Sequence, residues 1–351
     1  MEKDRIDPHP VLQQYDIGAV GELIEAAGTA GRTWKVVAAN GTYFLRLRGV
    51  RTANEKRLLF DQGLRAHLMA RGVPTVCALV STAGAPWVWH EGGAYELYPF
   101  VEGRAFQPDS QQQLVRAAQA LAQFHQASAD YTAPSAHEES IAQYTTLGFS
   151  PAESDRMDDP RLQKLNMLEV KKLAGNAAER AIVDRCIARV ETLAFTYAGP
   201  AYERLAGWTI HGDYTPANLL FASGGNEVVG VFDFDWAVPG VRCRDVADGL
   251  YFFATRPRAI DPSDIWSLTS SAEFDRDRCA VFLKSYHAIA PLAVDEIAAI
   301  PTAFAGRWLS IRLEGMAKVH KDERFRFFVR EIEKPLLWLD ENRAYLEGQL
   351  G

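Results

Sequence analysis

A chain of 351 residues and 39.0 kDa, 48% hydrophobic and 24% charged, has the composition of a globular protein with room for two lobes, and it excludes the disordered, collagen-like and coiled-coil classes. No apolar run approaches the ~18 residues of a membrane span, and the start, Met1 to Arg5, is charged where a signal peptide would be apolar. The net charge of -7 argues against a surface made to neutralise nucleic-acid phosphates. These features predict a cytoplasmic chain with neither nucleic acid nor membrane as a partner, and no motif speaks to its oligomeric state. Residues 1 to 100 hold 11 Lys+Arg against 10 Asp+Glu, whereas the remainder holds 27 against 35, so the acidity sits in the second part and favours a cationic, amine-bearing ligand. Cys77, Cys186, Cys243 and Cys279 lie too far apart for a zinc knuckle and read as free thiols.

In chain order, Ala27 to Gly31 forms a glycine-containing turn that leads into two β-rich runs between Thr33 and Arg48, divided by Asn40-Gly41, a dipeptide suited to a two-residue hairpin. Leu58, Leu64, Leu68 and Met69 recur at helical spacing within residues 54 to 71, before Gly72 and Pro74. Pro86 to Trp89 and Ala94 to Val101 form a second antiparallel pair around Glu91-Gly92-Gly93, and Glu102-Gly103-Arg104 reads as a connector. Ser110 and Gln113 carry a capping-box signature for a helix to about Ala129. Loops with short helices are expected over 130 to 165, and helices over 177 to 197, 273 to 291 and 320 to 346. The pattern is α+β, with a β-rich lobe over residues 1 to 101 and a mainly helical lobe over 102 to 351.

The chemistry concentrates between Trp208 and Trp236. Two short apolar strands, Leu219 to Phe221 and Val228 to Phe232, flank Ser223-Gly224-Gly225-Asn226 as a hairpin, and pairing them brings Asn218 and Asp233 to one end. With Asp213 close by, the result is a cluster of hard oxygen donors of the kind magnesium prefers, beside a carboxylate able to accept a hydroxyl proton. Phosphoryl transfer needs that equipment and little else from a protein.

His-x-Asp-x-x-x-x-Asn at 211 to 218, followed by Val-Phe-Asp-Phe-Asp at 231 to 235, resembles the catalytic and metal-binding segments of the aminoglycoside phosphotransferase / choline kinase family. Ala120 to His125, Tyr95 to Gly103 and Arg244 to Ala247 resemble its first C-lobe helix, its hinge and a later anchoring segment, in the style of type II homoserine kinases and spore-coat-kinase-like members. The resemblance covers about residues 30 to 255 and implies a bilobal protein-kinase-like fold that binds ATP (or GTP) and Mg2+. It also implies that Asp213 is the base, His211 supports its loop, Asn218 and Asp233 hold the metal, Asp245 anchors the loop, and Asp235 is a second-layer or substrate contact. Adenine would lie against the hinge near Tyr98 and Phe100, using backbone groups of Leu97 to Phe100.

One departure stands out. Arg46 occupies the third-strand position where relatives often carry lysine. Asp61 on the following helix is its expected carboxylate partner, with Glu55 the alternative, and Arg48 is expected to face solvent. Only eleven residues separate Asp233 from Asp245, too few for the long activation segment on which protein kinases dock polypeptides. The expected reaction is therefore transfer of the γ-phosphoryl group to the hydroxyl of a small molecule: an aminoglycoside, an amino alcohol such as homoserine, or a sugar. Arg307, Trp308, Arg312 and Glu314 form an expected substrate wall. A pseudokinase scaffold, a protein Ser/Thr kinase of the same family and a metal-dependent hydrolase are the competing readings.

Overall fold

The computed structural model describes residues 6–26, 32–49, 52–131, 160–196, 204–205, 207–256, 264–316 and 318–350. The glycine turn at 27 to 31 and residues 132 to 159 of the expected loop region lie outside them. After a short helix α1 (His9–Leu12), strands β1 (Val20–Ala26), β2 (Arg32–Ala38), β3 (Gly41–Leu47), β4 (Val88–His90) and β5 (Gly93–Pro99) form one antiparallel sheet in the order β1-β2-β3-β5-β4.

Two hairpin turns divide the labour differently from the sequence expectation. Ala38 pairs with Gly41, so the β2–β3 loop is Ala39-Asn40, one residue earlier than expected. The turn that does take positive φ at both central residues is Glu91-Gly92, at 48° and 77°, the geometry that matches the twist of paired strands.

Alternation along β3 and β5 gives the sheet two unlike faces. Leu45, Leu97 and Tyr95 point with Trp34, Val36 and Val88 into an apolar core closed by Val11, Leu12, Tyr15 and Ile17. The opposite face carries Arg46, Arg48, Glu96 and Tyr98 toward helix α2 (Glu55–Ala70), which Asn54 starts by accepting a hydrogen bond from the Arg57 backbone N–H at 2.9 Å. Phe60, Leu64 and Leu68 of α2 pack in turn on Phe124, Val231, Phe234 and Ala237, which fastens this helix to the second lobe.

The second lobe is built on α3 (Gln111–Ser128). Ser110 caps it, but Gln113 reaches the Gln107 N–H at 2.7 Å, so the cap spans further back than a capping box. Helices α4 (Pro160–Lys172) and α5 (Ala177–Thr196) follow, then strands β6 (Trp208–Ile210), β7 (Leu219–Phe221), β8 (Val228–Val231) and β9 (Val238–Gly240). Strand β6 pairs with β9, and β7 with β8, as two small antiparallel ribbons. Helices α6 (Cys243–Phe253), α7 (Ile265–Leu268), α8 (Arg276–His287), α9 (Val294–Met316), α10 (Arg324–Val329) and α11 (Glu333–Glu347) complete the lobe. The single helix expected over 320 to 346 is two, because Glu331 adopts φ 54° between α10 and α11. Trp308, Phe304, Tyr251, Phe282 and Tyr286 centre its large core. Among the described residues no helix is long and apolar enough to cross a membrane.

Candidate active site

The loop that follows β6 hangs from one buried carboxylate. Asp245, in the first turn of α6, accepts the backbone N–H of His211 at 2.6 Å and of Gly212 at 2.9 Å. It also accepts from His125 Nε2 at 3.0 Å. Burial alone would push Asp245 up, but the bond from His125 and the nearby positive groups hold it below the usual carboxylate range. Burial lowers His125, so its ring is neutral, donates through Nε2 and accepts the Tyr286 hydroxyl on Nδ1 at 2.7 Å. Gly212 sits at φ 80°, and a Cβ there would run into the backbone carbonyl of Trp236. Glycine therefore lets the loop lie directly against the segment that carries Asp233 and Asp235.

His211 is fully buried, and its Nε2 donates to the Phe232 carbonyl at 2.9 Å. Its ring joins loop to hairpin and is turned away from solvent. The hairpin has the expected register, Leu219 opposite Val231, and the Phe232 N–H donates to the Asn218 carbonyl at 2.9 Å. Asn218 Nδ2 donates to the Asp213 backbone carbonyl at 2.8 Å and to its Oδ2 at 3.3 Å. Asp233 lies in the left-handed region, φ 59° and ψ 68°, unusual for a residue with a side chain. Burial and the neighbouring Asp235 and Asp213 raise it above the usual range although Arg46 opposes them.

Asp213, Asn218 and Asp233 thus meet at one place. The Asn218 amide nitrogen is turned to Asp213, which leaves its carbonyl oxygen and the Asp233 carboxylate as hard donors for a divalent cation. Among the described residues no three His, Cys, Asp or Glu side chains converge as a closed metal cage. That donor set fits magnesium, which binds through one or two protein oxygens and completes its shell with phosphate and water.

Across the cleft, the arginine pairing differs from the expectation. Arg46 does not reach Asp61: its guanidinium grips Asp235 at 3.0 and 2.7 Å and touches Asp233 at 3.1 Å. Arg48 is the partner of Asp61, at 2.6 Å, and it also meets Asp235 at 2.5 Å and Glu96 at 3.2 Å. Far from facing solvent, Arg48 is 2% exposed. The reason is register: the Arg48 N–H still bonds the Ala94 carbonyl at 2.9 Å, so the strand stays regular past Leu47 and both arginines share a face. Arg65, one turn after Asp61 on α2, donates to it at 2.9 Å. Despite burial, Arg65 and Arg48 hold Asp61 low, while Arg46 and Arg48 do the same to Asp235. Thr52 adds a 3.0 Å bond to Asp235.

The expected aromatic contacts are largely occupied by the protein. The Tyr98 hydroxyl accepts from Gln62 at 2.9 Å, and its ring lies 4.9 Å from the Arg65 guanidinium. Lys35 stands over the Phe100 ring at 4.6 Å, and the Phe100 N–H is donated to Thr42 at 3.1 Å. The Leu97 carbonyl is taken by the Leu79 N–H at 2.7 Å. Sequence reasoning missed Glu96, Arg65, Thr52 and Asp248; strict alternation in β5 would have put Glu96 beside Arg46 and Arg48. Of the expected substrate wall, Trp308 and Arg312 are buried in the core, and Arg307 reaches Asp213 Oδ1 at 3.2 Å and Asp248 at 2.5 Å.

The family described as "Phosphotransferase enzyme family" matches residues 23–293. A homoserine kinase of Methylobacillus flagellatus is 28% identical over 296 residues, 83% of this chain and 77% of that protein. Among solved structures, the microcompartment-associated aminopropanol kinase superposes with a TM-score of 0.67 at 18% identity, covering 97% of this chain and 98% of its own. Amicoumacin kinase hAmiN, in complex with AMP-PNP, Ca2+ and Ami, superposes with a TM-score of 0.65 at 16% identity over 94% of each chain.

Proposed function

The chain belongs to the phosphotransferase enzyme family, and from that premise we propose that it is a small-molecule kinase that moves the γ-phosphoryl group of ATP to the hydroxyl of a small amino alcohol, homoserine and aminopropanol first among them. The convergence of Asp213, Asn218 and Asp233 carries this reading. The names of the homoserine kinase and the aminopropanol kinase similar to this chain support the acceptor class, and the AMP-PNP and Ca2+ bound by amicoumacin kinase support a nucleotide with a divalent metal.

In this reading Asp213 accepts the proton of the attacking hydroxyl, and Asn218 and Asp233 would hold magnesium. When bound, that ion supplies charge neutralisation on the phosphate oxygens. Arg46, oriented by Asp235, is the cation that turns toward the phosphates, exchanging its contact with Asp233 for theirs. The test is magnesium-dependent ADP release from ATP with L-homoserine, aminopropanol, aminoglycosides and sugars offered singly. Acceptor-stimulated release that is absent in Asp213→Asn supports the reading, and ATP binding with flat release in every acceptor, water included, sinks it.

A further inference from the structure

The side chain of Asp213 is held from two sides, and one of the holders lies outside the stretch matched by the family. Asn218 takes Oδ2 at 3.3 Å from the hairpin, and Arg307 takes Oδ1 at 3.2 Å from the middle of α9. The family match ends at residue 293, one residue before α9 begins. Arg307 is itself fixed from below, because its Nε donates at 2.5 Å to Asp248, a fully buried residue of α6. The second oxygen of Asp248 has no hydrogen-bond partner among the described residues, so among these residues the guanidinium is what holds this buried acid. Arg307 NH1 lies 4.0 Å from Glu314, one further carboxylate on the same helix. The Arg307 side chain is only 9% exposed while that of Asp213 is 31% exposed. The arginine therefore forms the back of the site and the aspartate its open edge.

We propose that Arg307 is a positioning residue for the reaction: through Asp248 it ties α6 and α9 to Asp213 and fixes the rotation of that carboxylate, so that one oxygen faces the incoming hydroxyl. A carboxylate has a soft terminal torsion, and Asn218 alone, at 3.3 Å, restrains only one of its oxygens. A planar guanidinium anchored at Nε presents NH2 in a fixed direction, which converts the packing of two helices into an orientation of the base. Placement errors of about 1 Å at a reacting group cost on the order of a hundredfold in rate.

The inference rests on the kinase reading for its rate measurements and has a second readout that does not. In the full-length chain, Arg307→Gln and Arg307→Lys are compared with wild type for ADP release with L-homoserine and with water as acceptor, for Mg-ATP affinity, and for folding by circular dichroism. The expected result is a fall in kcat of about 30- to 100-fold in Arg307→Gln, partial recovery in Arg307→Lys or on adding guanidinium chloride at millimolar concentration, and Mg-ATP affinity within about twofold of wild type. A wild-type kcat in Arg307→Gln, or a rate that falls only in step with nucleotide affinity, overturns the proposal. Should wild type itself release no ADP, the kinase reading fails on its own, and crystal structures of wild type and Arg307→Gln decide this one. An Asp213 carboxylate that turns from its wild-type orientation supports the inference, and an unmoved one refutes it. If Arg307→Gln does not fold, Arg307→Lys takes its place in both measurements.

Discussion

The two walls of the cleft are fastened by opposite means. On the N-terminal wall, Arg46, Arg48 and Arg65 are set against Asp61, Glu96 and Asp235, charge against charge, with most of these groups out of solvent. On the C-terminal wall, a single carboxylate, Asp245, is satisfied by two backbone N–H groups and a neutral histidine. Backbone donors stay where the fold puts them, whereas a guanidinium can trade one oxygen for another. The difference suits what the proposed reaction would ask of each wall: the loop that carries Asp213 would have to stay still, and Arg46 would have to exchange an acid for a phosphate. Asp233 and Asp235 belong to both systems, being in the metal segment by sequence and in the arginine lattice by contact, Asp235 through Arg46 and Arg48 and Asp233 through Arg46.

This contrast can be broken at either wall. The largest effect is expected at Asp213 itself. Asp213→Asn should lower turnover by about 10²- to 10⁴-fold and leave Mg-ATP affinity intact in calorimetry, and a variant that keeps its rate would remove Asp213 from the chemistry. Next comes Arg48→Met, which removes the cation shared by the buried Asp61 and Glu96 and by Asp235. Urea unfolding should show a loss of about 3–5 kcal/mol, and a loss too small to resolve would mean that water or Arg65 compensates.

Asp245→Asn should cost less, about 2–3 kcal/mol near neutrality, through weaker hydrogen bonds to the loop. Its dependence on pH has a defined sign. Asp245 is held below its ordinary value in the folded chain, so its stabilisation is complete above the unfolded value of about 3.9 and disappears as pH falls through the lower folded one. Unfolding free energies of wild type and variant should therefore converge in acid and separate again by about pH 5. The smallest effect is expected for Arg46→Lys. An ammonium cannot keep the two-pronged hold on Asp235, and Mg-ATP affinity should weaken by about tenfold with the melting temperature nearly unchanged, as read by nucleotide titration and a thermal scan.

Much of the C-terminal wall was legible because its parts are close in sequence. His211, Asp213 and Asn218 sit on one loop, and Asp233 follows after a short hairpin whose register is set by two apolar strands. Local pattern therefore carries the geometry. The N-terminal wall was misread at Arg46 and Arg48 because pairing there is decided by which carboxylates arrive from α2, β5 and the 233–235 segment, and none of these is near in sequence. Two arginines two residues apart on a strand point the same way, a signal the sequence contains, but choosing between Asp61 and Asp235 requires the tertiary fold. The hairpin turn at Ala39-Asn40 was displaced for a simpler reason: asparagine-glycine marks a turn without stating which residue closes the ladder. Arg307 lay beyond the recognisable motifs, on a stretch expected as a substrate wall, and its contacts with Asp213 and Asp248 join residues far apart in sequence.

The contacts that make the cleft work also say when it becomes competent. Arg46 and Asp235 are 189 residues apart in the chain, and Arg307 and Asp213 are 94 apart. Such pairs form late, because closing a long loop costs entropy before its contacts return any stabilisation. Helical signal and core burial should therefore recover ahead of nucleotide binding when the denatured chain is returned to buffer, and catalytic competence should come last of all.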